Sequence, residues 1–154
     1  IASAMSADAL RTPMDPFDAR IHRLRPFVGQ MVVAENMRRL LKGSRLIESG
    51  SGKVQDAYSI RCIPQVYSPS IDALHYVRQQ IEIEMNSVTD NPLFFPDDKA
   101  YLTGANFQGT PLGLALDEAA VVLRRLLVVS LAVVALLQDH ICRAGNFPVA
   151  CCQT

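Results

Sequence analysis

Apolar residues return at helical spacing through most of this chain. Ile1 to Thr12 is rich in Ala and Met and reads as a helix that Pro13 and Pro16 break. In QMVVAENMRRLLK, from about Gln30 to Lys42, Val32, Val33, Met37, Leu40 and Leu41 keep a helical period, and Gly43 with Ser44 ends it. A polar loop, SRLIESGSGKVQ, follows, with Gly50 and Gly52 as its flexible points. Pro64 marks a turn. Ser68 before Pro69 is a helix-start signal, a capping hydroxyl and then a proline at the first helical position. From there Ile71, Leu74, Val77, Ile81 and Met85 fall on one face, and Asp90-Asn91-Pro92 stops the helix. Thr110-Pro111 repeats the start signal for a last long helix running to about Ala144, which Gly145, Asn146 and Pro148 end.

Strand signals are few. A short hairpin around Leu93 to Leu102 is the most that the pattern allows, inside an irregular connection, NPLFFPDDKAYLTGANFQG. A connection of that length within a compact protein usually carries function. The fold class is therefore all-α, a bundle of long helices. A helix of about 30 residues is about 45 Å long, more than one small domain can cover. Self-association through the apolar helix after Thr110 follows as an expectation. Its densest part, LLVVSLAVVALL from Leu126 to Leu137, is too short to span a bilayer, which takes about 20 apolar residues.

Composition narrows the partners. The chain is 49% hydrophobic and 19% charged, a globular balance. Fifteen basic and fifteen acidic residues cancel, so no excess charge points to nucleic acid or to an anionic membrane. Small-molecule or protein partners remain. Cys62, Cys142, Cys151 and Cys152 form no CxxC pair, and no secretory signal is visible. They read as reduced thiols, chiefly small buried hydrophobes, in a cytoplasmic protein. His22, His75 and His140 lack metal-ligand spacing, so no metal site is expected. His75 reads as structural. Arg20, His22, Arg23 and Arg25 read together as a basic face, solvated or turned to a subunit.

Candidate chemistry lies in three clusters. In QDAYSIRCIPQV, Gln55, Tyr58 and Arg61 recur every three residues and share a face if helical. A tyrosine phenol can move a proton, and an arginine fork grips a carboxylate. The plain alternative is a capped turn with a surface arginine. Asn86, Ser87, Thr89, Asp90 and Asn91 sit at a helix end, where capping and turn formation would account for them. GANFQGTP, Gly104 to Pro111, brackets Phe107 with glycines, either as a loop before a helix cap or as a ring held at a pocket edge.

In this order and spacing, QDAYSIRCIPQV, IEIEMNSVTDNPL and GANFQGTP resemble the histidine, phenylalanine and tyrosine ammonia-lyase superfamily, which includes related aminomutases. HRLRPFVGQ before them is similar to that family's HxxRPHPGQ, with Phe27 and Val28 replacing its second His and Pro. The resemblance covers about 18–117, the central part of such an enzyme, and 118–154 reads as a divergent apolar helix and tail. It implies a larger fold of bundled helices, a homotetramer with shared active sites, and ammonia loss from an aromatic amino acid. The implied electrophile is methylidene-imidazolone, made from an internal Ala-Ser-Gly. On the matching positions, Gln55 and Tyr58 resemble the residues lining the electrophile, Arg61 the carboxylate-binding arginine, Asn91 its helper, and Phe107 the aromatic packed nearby. No Ala-Ser-Gly occurs in the 154 residues. The expectation is thus a fragment that supplies one wall of the site and is inactive alone. A 2,3-aminomutase and a non-catalytic helical assembly module are the alternatives. Gln108 stands where histidine-specific relatives often carry histidine, which leans toward a phenylalanine- or tyrosine-like substrate.

Overall fold

A computed structural model describes residues 1–49, 52 and 54–144, with side chains omitted at 134 and 136–144. The predicted ends of the last helix at Gly145, Asn146 and Pro148, and the thiols of Cys142, Cys151 and Cys152, lie outside these, as does the side chain of His140. The fold is all-α apart from one hairpin. Seven helices are described: α1 (Ala2–Ala9), α2 (Ala19–Arg23), α3 (Val28–Leu41), α4 (Arg45–Glu48), α5 (Tyr58–Arg61), α6 (Ile63–Met85) and α7 (Thr110–Ala144). Strands β1 (Leu93–Phe95) and β2 (Ala100–Leu102) pair antiparallel, with Phe94 opposite Tyr101. The described residues form two compact units, one of Ile1–Ile71 with Arg124–Ala144, the other Asp72–Leu123.

In the first unit a core gathers Ala7, Phe17, Met37, Leu41, Ile60 and Val133. The predicted stop of the second long helix at Gly43–Ser44 holds. Gly43, at a left-handed φ of 78° that suits a residue without Cβ, follows α3. Ser44 then starts α4 by accepting a hydrogen bond from the Ile47 amide at 3.2 Å, and its hydroxyl also donates to Asp8. That cap explains a difference from the sequence reading: part of the expected polar loop is a short helix. Gly52 has a left-handed φ of 66°, and Gly50 lies outside the described residues.

A second difference concerns Pro69. The helix does not begin at Ser68–Pro69 but at Ile63, and it runs through Pro69. Pro64 occupies the first turn, where its missing N–H costs nothing. Pro69 removes one helical hydrogen bond, a cost of about 3 kcal/mol. Ile63 and Pro64 are fully buried, and burying one isoleucine returns about 1.5–3 kcal/mol. The anchored first turn thus holds the helix across the proline.

In the second unit the hairpin turns through Pro96 and Lys99, where the Lys99 amide donates to the Pro96 carbonyl at 3.2 Å. Val77, Ala115 and Val122 are buried, whereas Leu74 on α6 and Leu114, Leu116 and Val121 on α7 are exposed. Further along α7, Leu127, Val128 and Leu131 are exposed as well. No helix among the described residues is long and apolar enough to cross a membrane.

Candidate active site

The short helix α5 carries the first cluster. Its start is fixed by Asp56, whose Oδ1 accepts the Ala57 amide at 2.8 Å and whose Oδ2 accepts the Thr12 hydroxyl at 2.7 Å. Thr12 is buried, so this bond ties the segment after α1 to the segment before α5. Ile60 anchors α5 from below, fully buried in the core. Tyr58 and Arg61, on either side of Ile60 in sequence, are left at the surface of the unit.

Gln55 precedes the helix, yet it joins the other two. Arg61 Nη1 donates to Gln55 Oε1 at 2.9 Å, and the Arg61 guanidinium lies 5.5 Å from the centre of the Tyr58 ring. A cation over a ring face is attracted by the ring quadrupole. Two neighbours therefore orient the guanidinium while its Nε–H, buried, has no acceptor. All three residues line an open cleft of about 520 Å³, together with Pro13, Asp15, Pro16, Ile21, Arg25, Val54, Asp56, Cys62 and Gln65. A buried donor without an acceptor costs about 1–3 kcal/mol, and a ligand carboxylate would remove that cost. The arrangement suits an anionic group held by Arg61 beside an exposed phenol.

Asn91 and Phe107 belong to the other unit. Asn91 Oδ1 accepts the Gly104 amide at 2.8 Å and so ties the two ends of the hairpin connection. Asn106 Nδ2 reaches the Val88 carbonyl at 3.4 Å, and the Asn91–Pro92 peptide is cis. Phe107 is exposed. Asn86 and Ser87 bond back to the carbonyls of Glu82 and Ile83, both at 2.7 Å, which is the helix-end role that their position suggests.

The structure corrects one sequence reading. His22 is no part of a basic face: it is 1% exposed, with Nε2 donating to the Pro16 carbonyl at 2.9 Å and Nδ1 accepting from Gln30 Nε2 at 3.0 Å. Burial pushes its pKa down. Arg20 is committed as well, in a two-pronged pair with Asp18 at 2.8 and 3.0 Å that holds the Asp18 carboxyl well below the usual carboxylate range. Arg25 lines the cleft, its guanidinium 5.1 Å from the Phe27 ring centre. His75 is exposed, its Nε2 accepting from Gln79 Nε2 at 3.1 Å. Asp56, Gln65 and Cys62 were missed as cleft residues, although Asp56 stands inside the Gln-Asp-Ala-Tyr run that drew attention. Cys62 is a free, buried thiol whose pKa burial pushes up, as expected of an unreactive cysteine. No group of residues that could hold a metal occurs among the described residues.

Long helices, one hairpin and a cleft lined by Arg61 and Tyr58 define a helical protein. A sequence profile of the aromatic amino acid lyases matches residues 1–149, and the chain belongs to that family. It is 54% identical over 116 residues to the histidine ammonia-lyase of Geobacillus thermodenitrificans, covering 75% of this chain and 23% of that one. It is 47% identical over 132 residues to histidine ammonia-lyase 2 of Fusobacterium nucleatum, covering 84% and 26%. Among solved structures, the phenylalanine aminomutase of Pantoea agglomerans superposes with a TM-score of 0.81 at 28% identity over 90% of this chain and 30% of its own. The histidine ammonia-lyase of Trypanosoma cruzi gives 0.73 at 41% identity over 84% and 23%. The chain thus spans about a quarter of the length of the curated relatives it matches.

Proposed function

We propose that the complete protein is an ammonia-lyase acting on an aromatic L-amino acid, with this chain supplying one wall of the site. The observation that carries this is Arg61, oriented by Gln55 and Tyr58 with one buried N–H unsatisfied in an open cleft. In the reaction the Cα–N bond and one Cβ–H bond break, a Cα–Cβ double bond forms, and ammonium leaves with the β-proton accounted for in it. Arg61 grips the substrate carboxylate; by family resemblance Asn91 would be the asparagine that assists such an arginine. Tyr58 moves a proton at the reacting carbons, with Gln55 setting its surroundings; by family resemblance Phe107 would be the aromatic residue near the electrophile. The family's methylidene-imidazolone, when bound, would supply the electron sink. The residues here fit that group, because the 72% exposed Tyr58 and the polar Gln55 leave an accessible, hydrogen-bonding edge on the cleft.

Histidine is the first substrate to test, given relatives named histidine ammonia-lyase at up to 54% identity. Gln108 favours a second reading, phenylalanine or tyrosine. The apolar residues exposed along α7 support assembly into a homo-oligomer, a tetramer by family resemblance. The free Cys62 thiol suits a cytoplasmic setting. The test is to express the complete protein and supply each of the three amino acids. Ammonia with the unsaturated acid is the expected outcome. A β-amino acid would replace the lyase with an aminomutase, and no turnover of any of the three would leave a helical assembly module. The 154-residue chain alone is expected to be inactive.

A further inference from the structure

The turn Asp15–Phe17 is a short 3-10 helix between α1 and α2, and Asp15 and Pro16 line the cleft. Two consecutive carbonyls of this turn are held from α3 and its neighbourhood. Arg38 Nη1 donates to the Phe17 carbonyl. His22 Nε2 donates to the Pro16 carbonyl at 2.9 Å. His22 cannot turn away, because Gln30 Nε2 occupies its other nitrogen at 3.0 Å and both side chains are buried, 1% and 2% exposed.

We propose that His22 is a positioning residue of the cleft, clamping the Pro16 carbonyl so that the Asp15–Phe17 turn keeps its place in the lining beside Tyr58 and Arg61. The chemistry of the position calls for histidine. One compact side chain must accept from Gln30 at one end and donate to a carbonyl at the other, and a neutral imidazole does both. Burial pushes the ring's pKa down, favouring the neutral form; Arg38 acts in the same direction, while the bond to the Pro16 carbonyl and, more weakly, Asp18 oppose it. The residues flanking His22 share in the result: Ile21 and Arg25 line the same cleft. The assignment extends the reading of the cleft as an amino-acid site and rests on it for its catalytic consequence.

The test uses the complete protein with three variants. His22→Gln places an amide N–H near the position of Nε2 and should rescue. His22→Leu fills space without donating, and His22→Asn is a polar control too short to reach, useful should the Leu variant not fold. Amide exchange read by mass spectrometry should rise roughly tenfold in the turn at Phe17 and Asp18 for Leu and Asn, about the effect of one hydrogen bond, while α3 stays protected. KM for the amino acid should rise roughly tenfold with kcat within about twofold, and His22→Gln should sit near the parent in both. A residue that only fills space predicts the reverse order, with Leu tolerated. Equal exchange in Leu and Gln variants, or faster exchange with no change in KM, overturns the proposal. A parent protein that turns over none of the amino acids ends the lyase reading, and the exchange comparison then decides the clamp by itself.

Discussion

Replacing Arg61 by lysine keeps the charge and removes the fork. In the structure the guanidinium is fixed at two points, by the 2.9 Å bond to Gln55 Oε1 and by the Tyr58 ring 5.5 Å away. Its Nε–H is a further donor, buried and unsatisfied. A lysine ammonium offers one flexible point charge, cannot stack its plane on the ring, and places no donor where Nε stands. At least one charge-assisted hydrogen bond to the substrate carboxylate is lost, about 1.5–3 kcal/mol, or roughly 10- to 100-fold in kcat/KM. Because the carboxylate is held equally before and during reaction, most of the loss should fall on KM. Arg61→Met, which also removes the charge, should lose more. Gln55→Leu should lose less, since it only releases one of the two restraints. The assay is steady-state kinetics of the complete protein on its best aromatic amino acid, with melting temperature as a check on folding. An Arg61→Lys variant within about twofold of the parent in kcat/KM would refute the carboxylate role.

Three further outcomes are expected. His22 has a folded-state pKa below its ordinary value, so the native protein binds fewer protons than the unfolded chain; the stability tied to its neutral form is present above about pH 6.5 and is lost as pH falls through the folded pKa. Melting curves of parent and His22→Gln between about pH 8 and 5 should therefore converge in slope only at the alkaline end, and parallel curves throughout would contradict this. Ile60→Ala should cost about 2–5 kcal/mol, because Ile60 is fully buried beneath the Tyr58–Arg61 helix; a loss under about 1 kcal/mol in a denaturant titration would mean that the site collapses without strain. Asn91→Ala removes the acceptor of the Gly104 amide, so exchange at Gly104 should quicken by roughly fivefold, the effect of about 1 kcal/mol, and an unchanged rate would show that the turn is held by other means.

Period and punctuation carried much of the fold. The apolar spacing of 30–42, the left-handed glycine at Gly43 and the Thr110-Pro111 start all reappear as helix and helix ends. The Ser68-Pro69 signal failed because a capping pair is a local preference, and the buried Ile63–Pro64 turn outweighed it. In the site, the three-residue spacing of Gln55, Tyr58 and Arg61 pointed to the right neighbours for a partly different reason. Gln55 lies outside the helix and is joined by a side-chain bond, which spacing cannot encode. His22 shows the same limit from the other side. Three arginines nearby made it look solvated, whereas its burial depends on Gln30 and the Pro16 carbonyl, partners that only the folded chain brings within reach.

The carboxylate of Asp56 has a practical meaning for anyone who would retune this cleft. One of its oxygens serves Thr12 and the other the backbone at Ala57, so positions 12 and 56 form a single mechanical joint between two distant stretches of chain. A library that varies the cleft side chains while leaving this joint intact explores recognition. One that varies either half of the joint alone also shifts the platform on which Tyr58 and Arg61 stand, and its hits and failures would mix two causes. Diversifying the two positions only as complementary pairs keeps those causes apart.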